Sequence, residues 1–172
     1  MQLASSKIEA LRELLAKPQS IVILSHTNPD GDAIGSSLAW AEILRKGGHD
    51  VTCIVPNRYP YYLEFMPNIS DIVIFKSDSD GKAKEALKRA DIIFCLDFHL
   101  LSRLDQLGDL IDENQHAKRV LIDHHLDPAE EFDIMLSYTE ASSTCYLVAR
   151  LIEDMYGVEH ISRSMAENLF VG

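Results

Sequence analysis

Apolar positions along the chain switch repeatedly between two periods. Within 1–17, Ile8, Leu11, Leu14 and Leu15 recur at helical spacing. Ser6-Lys7-Ile8-Glu9 reads as a capping box that opens this amphipathic helix, and Pro18 ends it. Ser20 to Ser25 is instead a short unbroken apolar stretch, the pattern of a strand covered on both faces. Helical period returns from Ala33 to Lys46 through Ile34, Leu38, Ala41 and Leu44, with Gly47-Gly48 as the stop. The alternation then repeats, predicting strands over 50–55, 72–75, 91–96 and 119–122 and helices over 82–89, 100–111 and 143–156. A last helix is predicted from Ser162 to the end, a short helical turn among the prolines of 59–67, and a surface turn near 78–84. Short β-branched strands alternating with helices predict an α/β fold, a five-stranded parallel sheet with helices on both faces.

Composition narrows the setting. A chain of 172 residues suits one domain with a single proper core, and 47% hydrophobic residues is a globular fraction. No apolar run approaches the ~20 residues a membrane span needs, and no basic stretch precedes an apolar leader. Cys53, Cys95 and Cys145 lie far apart inside apolar runs, without zinc-site spacing, and read as reduced core residues. The expectation is a cytoplasmic protein with no membrane partner. Sixteen basic residues against 27 acidic ones give a net charge of −11, which argues against a broad surface for long nucleic acid. A small phosphorylated substrate is still permitted, because bound divalent ions reverse the potential locally.

The candidate chemistry falls at strand ends. His26-Thr27-Asn28-Pro29-Asp30-Gly31-Asp32 follows the first strand, and Asn28-Pro29 argues against a helix there and for a tight loop. The 91–96 strand runs into Asp97, and the 119–122 strand into Asp123-His124-His125. The other two end in Pro56-Asn57-Arg58 and Lys76-Ser77, without a carboxylate or imidazole. Taken alone, Asp97 or Asp32 reads as a helix cap and a lone His as a structural residue, while a His-His pair can be accidental, as His99 and His116 are read here. Three strand ends converging on one sheet edge weigh differently, since ligands gather beyond the carboxyl ends of parallel strands. Carboxylates crowded there would repel one another unless a cation intervened. Oxygen and imidazole ligands without thiolate suit manganese, magnesium or cobalt, and their number suits two divalent ions rather than one.

His26-x3-Asp30-x-Asp32, the strand-terminal Asp97 and Asp123-His124-His125 resemble, in order and spacing, the first three motifs of the DHH phosphoesterase family. Asn28-Pro29-Asp30-Gly31-Asp32, Phe65-Met66-Pro67-Asn68 and Glu140-Ala141-Ser142-Ser143-Thr144 are similar to its nanoRNase/pAp-phosphatase branch. The resemblance implies that residues 1–172 are the catalytic DHH domain, ending before a fourth motif and a C-terminal domain. It implies two metal ions, manganese first, with His26, Asp30 and Asp97 on one and Asp32, Asp97 and His124 on the other. His125 would face the phosphate, as substrate contact or proton donor, with Asp123 orienting a neighbouring imidazole. Arg103 is a phosphate-binding candidate against the alternative of a solvated helix face. Ser142 and Ser143, with Thr144, are either helix caps or phosphate contacts. The implied activity is hydrolysis of short oligoribonucleotides to 5′-mononucleotides, with removal of the 3′-phosphate from adenosine 3′,5′-bisphosphate, by a protein expected to form a homodimer. Rival readings are a cyclic-dinucleotide phosphodiesterase, a pyrophosphatase or polyphosphatase, and a non-catalytic metal- or nucleotide-binding domain.

Overall fold

A computed structural model describes residues 2–172. Its strands are β1 (Ser20–Leu24), β2 (Asp50–Val55), β3 (Val73–Ile74), β4 (Ile92–Leu96), β5 (Lys118–Asp123) and β6 (Ile134–Ser137). Its helices are α1 (Ser5–Leu14), α2 (Gly31–Lys46), α3 (Lys82–Arg89), α4 (Leu107–Glu113), α5 (Thr144–Tyr156) and α6 (Arg163–Val171). All strands pair in parallel, in the order β3-β2-β1-β4-β5-β6. The chain therefore reverses its direction of growth across the sheet between β1 and β4. In doubly wound folds that reversal opens the ligand crevice.

The sheet has six strands, not the five predicted. Ile134-Met135-Leu136 offers too short an apolar run to announce a strand. Long-range contacts define it: Asp133 N–H donates to the Arg119 carbonyl at 2.9 Å, and the Asp133 carboxylate accepts from Arg119 N–H and Lys118 Nζ. The predicted 100–111 helix is also broken. A 3-10 turn covers Leu101–Leu104, Asp105 takes a φ of +55°, and α4 starts only at Leu107. The capping box is absent, because Ala4 is the N-cap of α1, with no side-chain cap, and Ser6 lies inside the helix.

Alternation along the central strands divides the core. Ile21, Ile23, Phe94 and Leu96 face α1, α2, α5 and α6, where Trp40 meets Phe94 edge-on at 5.6 Å. Val22, Leu24, Ile93 and Cys95 face α3 and α4. With both faces covered, the strands need apolar residues at every position. Helix α2 crosses α6 closely at Gly35, where a Cβ would collide with the Asn168 carbonyl and crowd Cys145 Sγ. The three cysteines are buried and unpaired, and burial pushes the Cys53 thiol up to about 12. Among the described residues no helix is long and apolar enough to cross a membrane.

Candidate metal centre

The three strand ends meet at the β1/β4 reversal. His26 leaves the end of β1 buried, with its Nδ1 2.8 Å from the Thr27 carbonyl. A carbonyl can only accept, so Nδ1 carries the hydrogen and Nε2 presents a lone pair. That lone pair lies 3.5 Å from Asp97 Oδ2. His124 repeats the arrangement on the other side. Its Nδ1 donates to the Ala141 carbonyl at 3.3 Å, and its Nε2 stands 3.7 Å from both Asp32 Oδ2 and Asp97 Oδ1. In both places an imidazole lone pair faces carboxylate oxygens with no hydrogen left between them. Only a proton or a cation relieves that contact.

The carboxylates are positioned by three different devices. Asp30 is the N-cap of α2, its Oδ1 accepting from Asp32 N–H and Ala33 N–H, both at 3.1 Å. Its other oxygen is left for the site, and ligand atoms of His26, Asp30 and Asp97 lie within 4.8 Å of one another. Asp32, in the first turn of α2, is seated on the N-terminus of α5. It accepts from Thr144 N–H at 2.8 Å and Cys145 N–H at 2.6 Å, which places its charge at the positive end of that helix. Asp97 follows β4 with a φ of +64°, in the left-handed region that short Asn and Asp side chains tolerate best. Its N–H continues the ladder to the Ile122 carbonyl, while Oδ1 accepts from Thr144 Oγ1 at 2.9 Å.

Burial pushes the Asp97 carboxyl up and, together with the charges of Asp32 and Asp30, outweighs the bonds from His26 and Thr144 that pull it back. Burial alone would lower His26, but the Asp97 contact, the Thr27 carbonyl and the Asp30 charge raise it. Both groups thus bind a proton more readily than usual, in the space a cation would take.

Asp123 is fully buried and orients His125. Its Oδ1 accepts from His125 Nδ1 at 2.7 Å and its Oδ2 from His125 N–H at 3.1 Å, which leaves Nε2 of this partly exposed ring free. The His124 and His125 rings lie 4.7 Å apart, and His99, read from sequence as accidental, stacks on His125 at 5.5 Å.

The phosphate-contact candidates fare unevenly. Ser143 is the N-cap of α5, accepting from Tyr146 N–H at 3.1 Å, and Ser142 is exposed beside it. The Arg103 side chain is exposed, yet its backbone carbonyl accepts Thr27 N–H at 2.8 Å. Sequence reasoning missed the Thr144 bond to Asp97 and the contacts of Asn57, because a lone hydroxyl or amide carries no motif.

The chain belongs to the DHH family: residues 20–172 match that family's N-terminal domain. It is 27% identical to the cyclic-di-AMP phosphodiesterase PdeA of Listeria monocytogenes over 95% of its length, and spans 26% of that protein. Among solved structures it is similar to an exopolyphosphatase-related protein from Bacteroides fragilis, 38% identical with a TM-score of 0.94. That likeness covers 99% of this chain and 49% of the other. A structure of the exonuclease RecJ bound to manganese shares the fold at 16% identity and a TM-score of 0.50, over 91% of this chain and 39% of that one.

Proposed function

We propose that this domain holds two divalent ions and hydrolyses phosphodiester bonds in short nucleotides. The observation that carries the reading is the pair of buried-side imidazole lone pairs, on His26 and His124, aimed at carboxylate oxygens of one shared Asp97. The donor set fits the group: imidazole and carboxylate only, with each histidine's second nitrogen fixed by a carbonyl. His26, Asp30 and Asp97 would hold one ion and Asp32, Asp97 and His124 the other. Manganese is the first ion to try, being the one in the RecJ structure. Such a pair, when bound, neutralises phosphoryl oxygens and lowers the pKa of an attacking water.

The chain's own residues supply the rest. His125, held by Asp123 through Nδ1, presents Nε2 to the leaving oxygen and delivers the proton it needs. The N-terminus of α5 fixes Asp32 and, through Thr144, Asp97, so that neither carboxylate reorganises during the reaction. Arg103, Ser142 and Ser143 are the candidate contacts for the substrate's phosphates.

The substrate we favour is a very short oligoribonucleotide cut to 5′-mononucleotides, with adenosine 3′,5′-bisphosphate as a further substrate. The net charge of −11 supports a small ligand over a polymer. Three unpaired cysteines support a reducing, cytoplasmic setting. A second reading, a cyclic-dinucleotide phosphodiesterase, is favoured by the likeness to PdeA along 95% of this chain. Hydrolysis of linear pApA and of cyclic di-AMP with manganese separates the two. The expected result is faster release of AMP from pApA, abolished in Asp97→Ala. Preference for the cyclic substrate establishes the second reading. Manganese uptake with neither reaction points to a binding domain that has lost turnover.

A further inference from the structure

Strand β2 ends in Val55-Pro56-Asn57 and brings no carboxylate or imidazole to the sheet edge. The Asn57 side chain nevertheless reaches across to the loop after β1. Its Oδ1 accepts from Asn28 N–H at 2.8 Å, and its Nδ2 donates to Asn28 Oδ1 at 3.0 Å and to the Arg58 carbonyl at 3.2 Å. Asn28 is thus gripped by main chain and side chain together, at a φ of +56° that most residues avoid.

Asn28 sits midway between His26 and Asp30. On the His26 side the loop is tied by Thr27 N–H to the Arg103 carbonyl, while the buried Thr27 Oγ1 has no partner. On the Asp30 side the loop is tied to the start of α2 by the side-chain cap and by the Asp30 carbonyl, which accepts Ile34 N–H at 3.1 Å. Between them the direction of the chain rests on the left-handed turn at Asn28, and Asn57 holds that turn.

We propose that Asn57 is a positioning residue for the His26/Asp30 half of the metal centre. It sets the spacing at which His26 Nε2 and the free Asp30 oxygen reach one ion together with Asp97. The inference rests on the two-ion reading above. Asn57 itself touches no ion. It acts through Asn28, as the hydrogen-bonded partners behind metal ligands commonly act. The other half of the centre, built on Asp32 and His124, takes its main support from the N-terminus of α5 instead.

Manganese titration of the metal-free protein by calorimetry tests it, with Asp30→Asn and Asp32→Asn identifying which binding step belongs to which half. Wild type is expected to take up two ions. In Asn57→Ala the step lost in Asp30→Asn should weaken about tenfold, the scale of losing such a partner, while the other step stays within about twofold of its value. Asn28→Gly, which keeps the left-handed turn without steric cost but removes Oδ1, should weaken the same step. The double variant should be no weaker than the more affected single one, since both changes break one contact. Equal weakening of both steps would show general loosening and overturn the proposal, as would unaltered affinity in Asn57→Ala or additive losses in the double variant. A wild-type protein that binds no manganese removes the two-ion reading and this one with it.

Discussion

The two halves of the metal centre are assembled over different distances in the chain. His26 and Asp30 come from one loop, directed by a proline, a left-handed Asn28 and a helix cap. Asp32 depends on backbone N–H groups 112 and 113 residues further along, at the start of α5, and its imidazole partner arrives from the end of β5. Asp97 joins them, facing His26 with one oxygen and His124 with the other. The local half is a property of its loop. The distant half exists only once α5 has docked, so changes in the packing of that helix should weaken its ion more than the other.

Removing the joint should have the largest effect. Asp97→Ala should reduce hydrolysis by about 10²–10³-fold, the scale of losing a pre-set electrostatic group, and abolish the manganese-induced rise in melting temperature. An Asp97→Ala protein that still binds two ions would show that the halves stand separately. Thr144→Val deletes the hydroxyl that fixes Asp97 Oδ1 but keeps the N–H under Asp32. It should weaken the Asp32/His124 ion about tenfold, and titration showing the His26 step equally weakened would break the comparison.

Ser143→Ala takes the cap from α5 and should cost about 1 kcal/mol in urea unfolding. As that first turn frays, affinity at the Asp32 half should fall a few-fold, roughly in step with the lost stability. Unaltered affinity would mean the helix end is held by packing rather than by its cap.

The smallest effect is in pH. His26 and Asp97 both bind protons more tightly in the metal-free folded protein than at their ordinary values of 6.5 and 3.8. Their stabilising contribution is therefore complete below those values and lost as pH rises through the native ones. Metal-free protein should melt a few degrees lower, about 2–4 °C per kcal/mol, as pH climbs above 6.5 through the native range of His26. Manganese competes with the same protons, so its stabilising increment should grow with pH. A metal-free melting temperature that rises over that interval would place the tighter proton binding elsewhere.

The contrast between the halves also explains what the amino-acid pattern could and could not announce. Parallel strands β1, β4 and β5 are written as apolar runs because both faces are covered, and each runs straight into its ligand. The helix cap at Asp30 was not legible, because the helical period shows only from Ala33, which points to Asp32 as the cap, whereas α2 starts at Gly31. Strand β6 was not, since Ile134-Met135-Leu136 becomes a strand only beside β5. Nor was the break at Asp105, where a helical period persists through Leu101, Leu104 and Leu107 although the backbone leaves helix. The seat of Asp32 on α5 and the grip of Asn57 on Asn28 join residues whose separation in sequence carries no pattern at all.

Asp97 carries a final consequence, in its backbone. Every non-glycine residue with positive φ among those described is Asn or Asp: Asn28, Asn68, Asp97, Asp105 and Asp127. At position 97 the carboxylate is demanded by the site and the short side chain by the left-handed turn. Asp97→Glu preserves the charge yet adds a methylene where the turn accommodates it poorly, and carries its oxygens past Thr144. Asp97→Asn keeps the turn and loses the charge. Refolding yield should therefore rank Asn above Glu, against the order that charge alone would give, and neither variant should recover both the fold and the ions. The position admits one residue because two unrelated requirements, chirality of the chain and charge of the ligand, are satisfied by the same four heavy atoms.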